Sequence, residues 1–161
     1  MPRPFAHLHL HTQFSLLDGA IQHKALFARA KALGMPAVAM TDHGNLFGAV
    51  EFYEKARDAG VKPILGCEVY VASGSRFERK GREKDEAGFD AINHMLLLAM
   101  NDTGYRNLMV LVSRCYLEGF YYKPRIDLDL LRERSEGLIA TSGCLSSMVS
   151  RAILDNDATR A

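Results

Sequence analysis

Apolar positions along the chain fall into short β-rich runs separated by longer stretches of helical period. Residues 5–11 read as a first strand, in which leucine and histidine alternate. Residues 20–33 read as a helix closed by Gly34, and residues 36–41 as a second strand. A helix over residues 46–59 stops at Gly60. Further strands are predicted at residues 62–71, 92–100 and 137–142, with helices over residues 102–117, 127–134 and 146–155. The four later strands are apolar on both faces, so a sheet covered by helices is expected rather than one facing water. Strands alternating with helices give an α/β layout of parallel strands joined by crossover helices. Five such units fall short of the eight of a standard barrel, although an open doubly wound sheet can be built from them.

One stretch stands apart. Residues 73–90 hold five basic and five acidic side chains among glycine and serine breaks, and read as a solvated, mobile charged loop. With 161 residues, 48% of them hydrophobic, the chain suits a single core and one domain over residues 1–161. A formal charge of +1 excludes a global field that could hold nucleic acid, so any such contact must be local. Met1-Pro2-Arg3-Pro4 leads into no signal-peptide core and no apolar run reaches membrane length, which predicts a cytoplasmic protein without a membrane partner. Cys67, Cys115 and Cys144 show no CxxC spacing, so neither a disulfide framework nor a zinc ribbon is indicated.

The strongest chemical signal is His7-Leu8-His9-Leu10-His11, because the period of two along a strand puts all three imidazoles on one face. His9 and His11 sit at the strand's C-terminal end, where α/β folds gather reactive groups, and two imidazoles so spaced can converge on one metal ion. His7 lies deeper and reads as a packing or supporting position. The second strand ends in Asp42-His43-Gly44, the third contains Cys67-Glu68, and the fifth ends in Gly143-Cys144. A carboxylate such as Glu68 can bridge two ions, and imidazole with thiolate favours zinc over magnesium. Singly, His43 also reads as a capping residue before Gly44, Glu68 as an edge charge and Cys144 as a small buried hydrophobe. Their recurrence at strand ends argues for a site. Cys67 faces away from Glu68, and Cys115 lies on an apolar helical stripe with Leu111 and Val112, so both read as core. His23, between Gln22 and Lys24, reads as a solvated surface residue.

The segments from His9 to Gly19, Thr41-Asp42-His43-Gly44, Gly66-Cys67-Glu68, Asn93-His94-Met95 and Ser142-Gly143-Cys144 resemble, in order and spacing, the PHP (polymerase and histidinol phosphatase) family. Thr103-Gly104-Tyr105-Arg106 and Gly119-Phe120-Tyr121-Tyr122-Lys123-Pro124-Arg125 resemble its replicative branch, the PHP domains that begin bacterial DNA polymerase III alpha subunits. The resemblance implies a distorted (β/α)7 barrel, truncated in this sequence, around a cluster of up to three divalent ions. Zinc is the simplest metal, with manganese or iron as alternatives. The implied ligands are His9, His11, Asp18, His43, Glu68, His94 and Cys144. Asp18 before Gly19 also suits a turn or helix cap, and His94 at a strand start also suits a structural hydrogen bond. Two further family ligands, an aspartate and a histidine from a late strand, have no counterpart before Ala161, so the cluster is expected to be incomplete.

By resemblance the activity is metal-dependent phosphoester hydrolysis, a 3′–5′ proofreading exonuclease acting on a DNA primer terminus. Polymerase activity then belongs to the remainder of the chain, whose partners are the other replicase subunits. Tyr121, Tyr122, Lys123 and Arg125 could stack a base and hold a phosphate, or form an aromatic loop over the barrel rim. Arg132 and Arg134 read as a solvated face. Two other classes stay open: a non-catalytic, metal-stabilised scaffold that braces the polymerase and docks a proofreading subunit, and a small-molecule phosphatase of the histidinol-phosphatase type. Nuclease activity lost with the metal separates the first from the second and third.

Overall fold

The structure, a computed structural model, describes residues 4–79 and 92–157. Along the chain lie α1 (His23–Ala32), β1 (Ala37–Met40), α2 (Ala49–Ala59), β2 (Lys62–Ala72), β3 (Ile92–Ala99), α3 (Asp102–Leu117), β4 (Arg125–Ile126), α4 (Leu128–Glu133), β5 (Leu138–Thr141) and α5 (Met148–Leu154). The strands form one sheet in the order β1-β2-β3-β5, with β4 paired to the end of β2.

The expectation of parallel strands throughout is corrected. β1 and β4 pair with β2 in parallel, but β2 with β3 and β3 with β5 are antiparallel. Apolar character on both faces reports that a strand is covered, not which way its neighbour runs, and antiparallel neighbours need no crossover helix. Residues 5–11 are likewise not a regular strand. The segment runs beside β1 through one isolated bridge, His7 to Val38, accepting hydrogen bonds from Ala39 N at His7 O (2.8 Å) and from Thr41 N at Leu10 O (2.9 Å). Leu10 N turns to Thr41 Oγ1 instead, at 2.8 Å, so the ladder does not propagate. β4 has two residues, too few to show a period in sequence.

Two apolar clusters hold the elements in place. Phe27, Val38, Met40, Phe52 and Ala56 pack α1 and α2 on β1. Cys67, Val69, Val71 and Leu97 from β2 and β3 pack against Leu108, Leu111 and Cys115 of α3 and Leu130 of α4. Each fully buried leucine of this kind contributes about 1.5–3 kcal/mol. The alternation along β2 decides the site: Cys67, Val69 and Val71 enter the core, so Glu68 and Tyr70 face the other way. α3 starts where Asn101 Oδ1 accepts Gly104 N at 2.9 Å, and Gly104 is required there because a Cβ would meet Gly137 O at 1.8 Å.

One further expectation changes. His23 is 1% exposed, with Phe14 and Phe52 ring centroids at 5.7 and 5.5 Å and Glu51 Oε2 3.5 Å from Nδ1. The spacing His23, Phe27, Ala30 is the inward stripe of α1, a signal that its polar neighbours hid. The charged stretch 73–90 falls largely on residues 80–91, which lie outside the described residues. In its described part, residues 73–79, Arg76 alone is buried, at 8% exposure, and pairs with Asp127 and Glu118, while the other six residues are exposed and Arg79 donates to Phe120 O. Among the described residues no helix is long and apolar enough to cross a membrane.

Candidate metal centre

Glu68 is the hub. It is 1% exposed, and β2 presents its carboxylate away from the core, between the chain segments that flank the strand. Imidazole nitrogens of His9 and His11 lie 2.7 Å from Oε2, and His94 Nδ1 lies 2.7 Å from Oε1. His43 joins from the end of β1, where the backbones of residues 42–44 continue the parallel ladder: Glu68 N donates to Asp42 O and Gly44 N to Glu68 O. His43 Nδ1 stands 3.9 Å from Glu68 Oε2 and Nε2 3.0 Å from Asp18 Oδ2. Asp18 also meets His11 Nδ1 at 3.1 Å. Cys144 Sγ lies 3.8 Å from His94 Nδ1 and 4.0 Å from Glu68 Oε1. All seven sequence-predicted ligands are thus brought to one place.

The donor set fits divalent ions. Three overlapping groups, His9-His11-Glu68, His11-Asp18-His43 and His43-Glu68-His94, each put one ligand atom per residue within 4.8 Å of the others. Two features are hard to account for by protein contacts alone. His9 Nε2 and His11 Nε2 approach to 3.3 Å while sharing one carboxylate oxygen. His43 Nδ1 is buried without a hydrogen-bond partner, a costly state for a polar atom unless something else binds it.

The electrostatics follow from the same contacts. Burial acts to raise the Glu68 carboxyl, but the imidazoles of His11, His94 and His9 together hold it well below the usual carboxylate range. The hydrogen bond to Glu68 outweighs burial at His11 and raises its imidazole, whereas burial dominates at His43 and lowers it. Asp18 is partly opposed by burial, yet its hydrogen bonds with His43 and His11 keep it low.

Sequence reading missed the residues that set this geometry. Asp42 is 0% exposed and accepts Thr12 N (2.6 Å), Thr12 Oγ1 (2.7 Å) and Ser15 Oγ (2.7 Å), which folds the loop that carries Asp18. Its place in Thr41-Asp42-His43 was the available clue. Tyr70, two residues along β2 from Glu68, stacks on His43 at 5.8 Å and meets His94 edge-on at 5.0 Å. Burial, with Glu68 and Asp18 nearby, pushes its hydroxyl up to about 12. His7 is not deep: its backbone bridges to Val38, but its side chain is exposed and lies edge-on to Phe5.

A cleft of about 870 Å³ opens beside the cluster, lined by Phe14, Asp18, His43, Tyr70, His94 and Lys123 among others. Of the four candidate nucleic-acid residues, Tyr122 is exposed, Tyr121 is half-buried against it, and Lys123 points over the Tyr70 ring. Arg125 is corrected to a structural role. It is 8% exposed, and its guanidinium donates to the carbonyls of Gly119, Arg76 and Glu78, leaving it directed at backbone rather than at a phosphate.

The PHP domain model matches residues 7–161. The chain belongs to the PHP family. It is 57% identical over 154 residues to the DNA polymerase III subunit alpha of Thermus aquaticus and 52% identical over 147 residues to that of Chlamydia pneumoniae. These alignments cover 94% and 91% of this chain but 12% of each relative, so the chain spans about an eighth of their length. Among solved structures, a Bacteroides vulgatus two-domain protein, named as containing a predicted PHP-like metal-dependent phosphoesterase, superposes with a TM-score of 0.51. It is 15% identical, over 94% of this chain and 41% of that one, and the likeness is one of fold.

Proposed function

We propose that this chain is the PHP portion of a bacterial replicative DNA polymerase alpha subunit, and that it is a metal-dependent phosphoesterase acting as a 3′–5′ exonuclease on a primer terminus. The observation that carries this reading is the convergence of four imidazoles, the Asp18 carboxylate and a thiol around buried Glu68. Identity to the polymerase subunits supports the replicative context, with the rest of that polypeptide and the other replicase subunits as partners in the cytoplasm.

His9, His11 and Glu68 would hold one ion, His11, Asp18 and His43 a second, and His43, Glu68 and His94 a third, with Cys144 beside the last. The imidazole-rich set with a nearby thiol favours zinc, with manganese and iron as the other borderline choices. Divalent ions supply, when bound, Lewis-acid activation of water near neutral pH and charge neutralisation at a phosphoryl oxygen. Glu68 turns one oxygen toward His9 and His11 and the other toward His94, so a single carboxylate serves two neighbouring donor groups. Its depressed pKa keeps it ionised, and thus a ligand, through the physiological range. Asp42 fixes the loop that delivers Asp18, and stacked Tyr70 limits tilting of the His43 ring.

Elemental analysis of protein purified without chelator or added metal, paired with release of 3′ nucleotides from a labelled single-stranded oligonucleotide, tests the reading. Parent protein should carry metal and activity, and His11→Ala should lose both together. Metal retained with no hydrolysis of DNA or of a generic phosphomonoester would favour a scaffold, and activity without metal would sink the mechanism. Hydrolysis of the monoester but not of DNA would instead mark a small-molecule phosphatase.

A further inference from the structure

We propose that Lys123 is a phosphate-binding residue of the cleft and that Tyr70 is its positioning platform, so that a phosphoryl group is held between Lys123 and the histidine cluster. This rests on the phosphoesterase reading above and assigns the anion contact that the metal ligands leave open.

The loop after α3 is built to hold this lysine still. Arg125 fastens its base through the carbonyls of Gly119, Arg76 and Glu78, at 3.0, 3.0 and 2.8 Å. Tyr122 sits at φ 58, a left-handed conformation that a bulky aromatic residue adopts only when its surroundings impose it. Tyr121 N donates to Lys123 O at 3.1 Å across this turn. Pro124 closes on the turn at His43, where Gly44, with φ +61, makes room: a Cβ there would lie 2.8 Å from Pro124 Cγ and 3.4 Å from Tyr70. The loop therefore reads its position from the metal-ligand turn itself.

The result is an ammonium aimed into the cleft. Lys123 Nζ lies 5.1 Å from the Tyr70 ring centroid, within cation–π range, and that ring stacks on His43 with 14° between planes. Among the described residues Lys123 pairs with no carboxylate: Glu68 faces His9, His11 and His94, and Asp18 faces His11 and His43. An aromatic face holds a lysine in place without neutralising it, which a carboxylate would do. A fixed cation with no carboxylate partner among the described residues, across a cleft from a set of candidate metal ligands, is suited to the oxygens of a phosphoryl group, whether from a phosphomonoester or from a terminal phosphodiester.

Calorimetric titration of inorganic phosphate into the metal-containing protein, with metal content measured for every variant, reads this directly. Lys123→Gln should weaken phosphate binding about tenfold at unchanged metal content, as expected for loss of a charge-assisted contact, and Lys123→Arg should stay near the parent. Tyr70→Phe should keep the affinity because the ring remains, whereas Tyr70→Leu should weaken it while the lysine is still present. Parent affinity in Lys123→Gln, or no phosphate binding by the parent protein, would overturn the assignment. Displacement of phosphate by a small phosphomonoester or by a short oligodeoxynucleotide identifies which source fits, and displacement by neither also overturns it. Phosphate binding without hydrolysis by the parent sinks the phosphoesterase reading while leaving this anion site standing.

Discussion

Replacing Asp127 by alanine should cost more than any surface charge change in this chain, because the carboxylate holds three things at once. Its Oδ1 caps α4 by accepting Leu130 N at 3.0 Å, and Oδ2 accepts the backbone N of Arg76 at 3.0 Å. Both oxygens accept Arg76 Nη1, at 2.9 and 3.0 Å, with the two side chains 7% and 9% exposed. Loss of an N-cap costs about 1 kcal/mol. Stranding a buried charge costs about 3–5 kcal/mol. Glu118 remains 2.6 Å from Arg76 Nε and retains part of that, so the expected loss is about 3 kcal/mol. For a chain of this size that lowers Tm by roughly 6–12 °C. Urea unfolding followed by circular dichroism measures it. Arg76→Met combined with Asp127→Leu should be less destabilised than Asp127→Ala, since Glu118 keeps its pairing with Arg114 and no buried charge is left unpaired. A loss under about 1 kcal/mol, or a double variant worse than the single, would refute the reasoning. The pH dependence has a fixed sign. Burial opposes ionisation of Asp127, but hydrogen bonds from Arg76 N and Leu130 N and the guanidinium hold its carboxyl below the ordinary value. The folded state therefore binds that proton less readily than the unfolded state. Its stabilisation is complete above the unfolded carboxylate range and disappears as pH falls through the folded value. The gap between parent and Asp127→Ala should start to narrow below about pH 4 and go on narrowing as pH falls through the folded value.

Other outcomes can be checked with the same protein. Gly44→Ala, at φ +61 with Pro124 Cγ 2.8 Å from the new methyl, should lose about 1–3 kcal/mol and weaken metal binding at adjacent His43, read by denaturation and elemental analysis. Leu108→Ala, at 0% exposure under β2 and β3, should lose about 2–5 kcal/mol while leaving the metal content intact. Chelator treatment should lower Tm, and re-addition of metal at a hundredfold excess over its Kd should restore about 2.7 kcal/mol. Thiol reagents should label half-buried Cys144 before Cys115, whose thiol burial pushes up to about 12, and before fully buried Cys67. Bound metal should slow that labelling, and equal rates with and without metal would remove Cys144 from the ligand set.

Much of this was legible in local sequence. Helix α3 was readable to the residue because Asn101, the stripe Leu108, Leu111, Cys115, and the following Glu118-Gly119 all agree on its phase and limits. The Gly34 and Gly60 stops hold because both sit at positive φ, at +66 and +71, where a helix ends. His43 and Cys144 were readable because they follow β1 and β5, whereas Glu68 lies within β2, and Asp18 in its loop and His94 within β3 were legible only through the family resemblance. What sequence could not carry was the relation between segments. Strand direction depends on how connections route the chain, so an antiparallel β3 looks like a parallel one from its own residues. His23 appeared exposed because its neighbours are polar, and only the packing of α1 on α2 turned it inward. Arg125 read equally as a phosphate contact or as part of a loop over the rim, and only the fold showed its Nε and Nη2 donating to three carbonyls. Sequence by itself determined which residue types stand at which strand ends and helix phases, since those are set by neighbours a few positions away. Only the tertiary structure decided that four imidazoles surround one buried carboxylate and that Lys123 rests on Tyr70, because those distances join residues as many as 59 positions apart, from His9 to Glu68.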